Sequence, residues 1–161
     1  MKVFDYIGFF GPQILFLVSL VALYSQKTFL IVYVIAMGFN SLLNFAIKAL
    51  VKQPRPNGDL NVFNGKRHRP RILSDIYGMP SGHSQQVFLS TVFVYLVLKN
   101  NKLTFFYFIL SLLTLTQRVN YKNHTVMQVI VGSCVGAIVA YLAYIMAKLY
   151  DSSTKRTVRY M

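Results

Sequence analysis

Two histidines, His83 and His124, stand near basic residues in a pattern suited to moving a phosphoryl group, and three clusters supply the parts. In the first, Lys48 is followed after six residues by Arg55 and Pro56. A helix-end ammonium and a loop guanidinium can hold two edges of one phosphate, the Arg through its bidentate fork and the Lys as a point charge. Alone this spacing says little, since basic residues beside apolar helices commonly serve as anchors. The second cluster, Pro80-Ser81-Gly82-His83-Ser84, lies where a polar stretch becomes an apolar helix. Pro suits a first helical turn, and Gly lets an anion approach the backbone. Free N–H groups and the helix dipole favour a phosphate there, with the Ser81 hydroxyl as a further donor. His83 would then stand beside the anion, able to protonate a leaving oxygen. The bland alternative is a helix start capped by Ser. The third cluster is Arg118, five residues, His124, three residues, Gln128. Four positions apart at a helix start, His124 and Gln128 share a face. The amide oxygen can therefore accept the ring N–H, fix the tautomer and aim the other nitrogen at phosphorus. Arg118 would neutralise equatorial oxygens in the transition state.

The elements that must position these groups follow from hydropathy. The 161 residues are 55% hydrophobic and 13% charged, about half the charged share of a water-facing globule. The apolar residues are bunched into runs long enough to cross a hydrocarbon layer, which takes about 20 helical residues. Five spans are expected, at about 6–24, 28–51, 80–98, 103–119 and 125–150. The fold class is an all-α, multi-pass transmembrane helix bundle, with residues 1–151 as one membrane-embedded unit and 152–161 as a polar, basic tail. Asp5 and the bulky residues before Ser25 argue for a retained first helix over a cleaved leader.

Short links at 25–27 and 99–102 force antiparallel neighbours. The long polar connection, 52–79, is broken by Pro54, Pro56, Gly58, Asn64-Gly65 and Pro70. Counting crossings puts this loop, the end of span 2, the start of span 3 and the span 4–5 link on one membrane face. Asn40, Asn44 and Lys48 form a polar stripe on span 2 that climbs toward that face, and Ser111, Thr114 and Arg118 form another on span 4. For Asn40 and Ser111, interhelical hydrogen bonding is as good a reading as function. Gly132 and Gly136 form a small-xxx-small packing pair.

The chain has four Asp and no Glu, none of the acids near another in sequence, so a carboxylate cage for a divalent metal is not expected. Cys134 stands alone, which rules out an intramolecular disulfide and a Cys-based metal site. The net charge of +13 would suggest nucleic acid in a soluble protein. Here the basic residues lie between apolar runs, and phosphate headgroups of the bilayer are the better partners, with no nucleic acid involved. The run Lys66, Arg67, His68, Arg69 is read as resting on anionic headgroups, with substrate steering as the alternative.

Taken together, Lys48-x6-Arg55-Pro56, Pro80-Ser81-Gly82-His83 and Arg118-x5-His124 resemble the three-part signature of the type 2 phosphatidic acid phosphatase and vanadium haloperoxidase superfamily. The resemblance implies that His124 is a nucleophile forming a phosphohistidine and His83 the general acid. It also implies that Lys48, Arg55, Ser81, Gly82 and Arg118 bind the phosphate, and that no metal or organic cofactor takes part. Two positions depart from the usual third motif, which has Ser before the Arg and Asp four residues after the His, where this chain has Gln117 and Gln128. Within the superfamily the segments 78–85 and 124–132 are most similar to the dolichyl diphosphatase branch, although that branch usually has Ser where this chain has Gly82.

That likeness implies a polyprenyl diphosphate substrate and a lumen-facing site on the endoplasmic reticulum. A physical reason agrees: cleaving a diphosphate expels a phosphate monoester, whose second pKa is about 6, in place of an alkoxide. The better leaving group asks less of a nucleophile without a carboxylate partner. The alternatives are a broader phosphatidate-type lipid phosphatase and a catalytically silent lipid-phosphate-binding protein; a vanadate-using oxidase fits membrane spans poorly. With Lys48, Arg55 and Arg118 set aside as ligands, Lys and Arg divide seven against seven between the two faces, so charge does not orient the chain.

Overall fold

The computed structural model describes residues 2–58, 60–63 and 76–159. The run 66–69, read above as a headgroup contact, lies outside them. Among the described residues six helices follow in order: α1 (Lys2–Phe9), α2 (Gly11–Ala22), α3 (Lys27–Val51), α4 (Gly82–Leu98), α5 (Asn101–Asn120) and α6 (Val126–Arg159). The described residues contain no named strand, only an isolated bridge between Pro54 and Tyr77.

The expected first span is broken into α1 and α2, which meet at 63°. Pro12 explains the break, because it lacks the N–H that would continue the ladder to Gly8. At the other end of the chain, α6 runs on to Arg159, so no interruption of the helix marks the boundary expected at residue 151. Of the five spans expected, α3 and the Val126–Ser153 part of α6 are long and apolar enough to cross a membrane; the bent pair α1–α2 makes a third if it counts as one crossing. The other two, α4 and α5, carry buried polar side chains that dilute their apolar character: Ser84, Gln85, Ser90 and Thr91 on α4, Ser111, Thr114, Gln117 and Arg118 on α5.

Polarity is arranged inside out. Ile31, Ile35, Phe39 and Leu42 of α3 and Ile138, Leu142, Met146 and Leu149 of α6 all point outward and are exposed. On the other side of α3, Asn40, Asn44 and Lys48 are buried. This is the arrangement a bilayer imposes, with apolar side chains toward lipid and polar ones paired between helices. The pairing is extensive. Gln85 Nε2 donates to Asn40 Oδ1 (2.7 Å), and Asn44 Nδ2 donates to Gln85 Oε1 (2.8 Å), locking α3 to α4. Tyr33 bonds Ser90 (2.8 Å), Tyr107 bonds Ser19 (2.9 Å) and Thr91 bonds Ser111 (2.9 Å). Asn40 and Ser111 are thus interhelical bonding groups.

The buried aromatic and aliphatic side chains of Leu15, Tyr33, Val87, Leu89, Phe93, Tyr107 and Ala140 fill the space between. The most extensive helix packing is that of α4 on α6. A Cβ on Gly132 would lie 2.5 Å from the carbonyl oxygen of Ser81, and one on Gly136 would overlap that of Gln85. These two glycines let α6 press directly on the backbone of the α4 N-terminus.

Candidate active site

The α3 C-terminus, the segment 52–58, the α4 N-terminus, the α5 C-terminus and the α6 N-terminus gather at one end of the bundle, joined by hydrogen bonds. Gly78 N–H donates to Gln53 O (2.8 Å), Ser81 N–H to Gln128 O (3.0 Å) and Leu60 N–H to Tyr121 O (2.9 Å). Two turns of chain direction depend on left-handed residues, Lys52 after α3 and Lys122 between α5 and α6, with φ of 51° and 54°.

Ser81 caps α4. Its hydroxyl accepts from Ser84 N–H (3.4 Å) and from Ser84 Oγ (2.9 Å), which leaves the Ser81 proton to donate elsewhere. Its main-chain N–H is used by Gln128, so the N–H groups at the α4 start that can meet an anion begin at Gly82. The absent side chain of Gly82 also opens toward α3, where an added Cβ would stand 3.2 Å from Asn44 Oδ1. This glycine therefore has a packing reason beside the anion-binding one.

Arg118 is the hub. Its Nη1 donates to His83 Nε2 (3.0 Å) and its Nη2 donates to Asn123 Oδ1. Its carbonyl accepts from Asn123 N–H (3.0 Å) and His124 N–H (3.2 Å), closing the α5–α6 turn, so one residue contacts the His83 ring and the His124 main chain. A guanidinium only donates, so His83 Nε2 is the acceptor. Asn123 Nδ2 in turn donates to Leu60 O (2.9 Å). Lys48, Arg55 and Arg118 lie within electrostatic range of both imidazoles. Lys48, Arg118 and His124 are each at most 6% exposed, so these charges act in a medium less polar than water.

Burial holds the His124 imidazole well below the usual pKa, reinforced by Arg55, Lys48 and Arg118 and more weakly by His83. The neutral ring, the form able to attack phosphorus, is therefore favoured. A free imidazole has a pKa of about 6.5. The acid limb of kcat/KM, corrected for titration of the substrate, is expected below that value in a profile from about pH 4.5 to 8; a limb at or above it would contradict the shift. The sign for stability is the same. Below about pH 6.5 His124 takes up a proton more readily in the unfolded chain than in the folded one, so its contribution to stability is lost as the pH falls.

Three contributors escaped the sequence reading. Phe9, at the α1–α2 break, places its ring 5.6 Å from His83 and 5.3 Å from the Arg118 guanidinium. Phe63 backs Phe9 at 5.4 Å. Asn123, the second ligand of Arg118, carried one faint signal: a polar residue with a short acceptor directly before His124. His124 Nδ1 also has a nearer partner than expected. It lies 2.9 Å from Gly78 O and 3.3 Å from Gln128 Oε1. Among the described residues, no three His, Cys, Asp or Glu side chains stand together as a metal site.

This helical frame, with Lys–Arg, Ser–Gly–His and Arg–His clusters at one end, is matched by the PAP2 superfamily over residues 29–150, more than half of the sequence, and the chain belongs to that superfamily. It is also similar to lipid phosphate phosphatase epsilon 2, chloroplastic, of Arabidopsis thaliana, at 36% identity over 114 residues, which is 66% of this chain and 35% of that protein. The chain thus spans about a third of that relative's length. No solved structure matches.

Proposed function

We propose that this chain is an integral-membrane lipid phosphatase that hydrolyses a polyprenyl diphosphate to the monophosphate through a phosphohistidine on His124. The observation that carries the reading is the bridge made by Arg118, whose guanidinium meets His83 while its carbonyl holds the His124 backbone. Lys48, Arg55 and Arg118 lie within electrostatic range of both rings, which supports one phosphate being shared between the two imidazoles. Family membership and the name of the plant relative support the phosphatase class.

In the first step His124 Nε2 attacks phosphorus, the bond to the bridging oxygen breaks, and His83 protonates the departing monophosphate. For His83 to donate, Arg118 must turn from its Nε2 to the incoming phosphate, freeing that nitrogen to carry a proton. In the second step water attacks the phosphohistidine, its proton passes to His83, and the P–N bond breaks to release inorganic phosphate. Lys48, Arg55, Arg118 and the α4 N-terminus with Ser81 and Gly82 hold the equatorial oxygens as charge moves. The chemistry needs no metal.

The diphosphate preference is carried by the neutral groups at His124 Nδ1, the Gly78 carbonyl and the Gln128 amide. Neither stabilises an imidazolium as a carboxylate does, so a good leaving group matters more. A broader lipid phosphate phosphatase is the second reading, favoured by the printed name of the relative. The five-span topology and an endoplasmic-reticulum membrane with a lumenal site belong to this proposal as well. Phosphate release from dolichyl diphosphate, dolichyl phosphate and phosphatidate, measured side by side in detergent with chelator, separates the readings. The diphosphate is expected to exceed the monoesters in kcat/KM by about tenfold or more. Faster turnover of phosphatidate would favour the second reading, and no turnover of any of the three would sink both.

A further inference from the structure

Gln128 occupies the place where a carboxylate would orient the nucleophile, yet its amide is committed elsewhere. Its Nε2 donates to Gln53 Oε1 (3.0 Å) and to Pro54 O (2.9 Å), and its Oε1 accepts from Thr125 N–H (3.1 Å). The side chain is fully buried. Both amide protons are therefore spent on the segment immediately before Arg55. The acceptor nearest the His124 ring is the Gly78 carbonyl, at 2.9 Å against 3.3 Å for the Gln128 oxygen. Gly78 is itself tied to the same segment through Gln53 O (2.8 Å). A Cβ at Gly78 would collide with the Gln128 amide, lying 2.6 Å from its Nε2 and 2.7 Å from its Cδ.

We infer that the two tasks are divided: the Gly78 main-chain carbonyl orients the His124 ring, and Gln128 is a positioning residue that sets Arg55 against the phosphate through Gln53 and Pro54. A carboxylate could not do the second task. It would bring no proton to two acceptor oxygens in a buried place, where an unmatched polar group is costly. Glutamine at this position is then a different device, and not a weakened aspartate. A carbonyl acceptor fixes the tautomer with Nδ1 protonated and leaves Nε2 free toward phosphorus.

This assignment rests on the phosphatase reading, and the closing experiment keeps the two apart. In the purified full chain, Gln128→Glu removes both donors and retains an oxygen beside His124. Its KM for the lipid substrate is expected to rise about tenfold, with kcat falling less than about threefold. In an Arg55→Ala background the same substitution should add little to KM, because its effect is routed through Arg55. A rise in kcat with KM unchanged would overturn the inference, since it would mean that residue 128 acts on the nucleophile. So would a KM increase of full size in the Arg55→Ala background. Should Gln128→Glu fail to fold, Gln53→Ala removes one of the two bonds at an exposed position. It should raise KM about threefold, and an unchanged KM would likewise overturn the inference. Orthovanadate titration of thermal stability gives a readout independent of turnover. If the wild type binds vanadate but hydrolyses no lipid, the phosphatase reading fails, while weaker vanadate binding in the variants would still support the Arg55 clamp and unchanged binding would refute it.

Discussion

His124→Ala is expected to lower phosphate release from the lipid substrate by roughly ten-thousand-fold or more in kcat, with substrate binding retained within about tenfold. In the proposed reaction His124 supplies the nucleophilic nitrogen, while the proposed phosphate ligands stand on other elements: Lys48 on α3, Arg55 in the segment after it, Ser81 and Gly82 at the α4 start, Arg118 on α5. Removing the ring therefore removes the reaction path and leaves most of the anion-binding charge in place. Steady-state kinetics together with vanadate binding, compared between wild type and variant, checks both halves. Loss of vanadate binding in parallel with activity would mean that the substitution dismantled the pocket, and residual turnover within a hundredfold would mean that His124 is not the nucleophile.

The second large effect belongs to Arg118. Arg118→Ala is expected to reduce kcat by roughly a thousandfold, in the range known for cationic groups that stabilise phosphoryl transfer. The more informative variant is Arg118→Lys. It keeps the positive charge but cannot address His83 through one nitrogen and Asn123 through another, as the fork does here. A loss of about a hundredfold is expected even so. If Lys restored nearly full activity, Arg118 would be acting only as a charge. Asn123→Ala provides a consistency check in the same assay, since it frees one arm of the fork and should cost less than either Arg118 substitution.

What the sequence could reveal, and what it could not, has a physical pattern. The polar stripes were legible because 3.6 residues per turn puts Asn40, Asn44 and Lys48 on one side, where α3 buries them. Gly132 and Gly136 were legible for a similar reason, since small residues in a membrane helix mark backbone approach. The three clusters share one end because alternating helix direction requires it. The break in the first span was written as Gly11-Pro12, although periodicity alone reads straight through it. By contrast, the neighbour of His83 contributed by Phe9 depends on how α1 tilts after that break, a tertiary property without a local signal. The Gly78 carbonyl is a main-chain atom, identical in every residue, and no side-chain pattern announces it. Gln128 was legible as a ring neighbour, its Oε1 lying 3.3 Å from His124 Nδ1, but its spacing could not show that Gln53 and Pro54 accept both of its amide protons.

The most direct test of the central claim is to trap the phosphoenzyme. Wild-type protein would be mixed with lipid diphosphate labelled on its terminal phosphate in the presence of chelator, quenched in base after a few milliseconds, and mapped by mass spectrometry. An acid-labile, base-stable label on Nε2 of His124, absent in His124→Ala, is the expected result, because Nδ1 is held by the Gly78 carbonyl. A label on another residue, on Nδ1, or on no residue at all while phosphate is still released would contradict it.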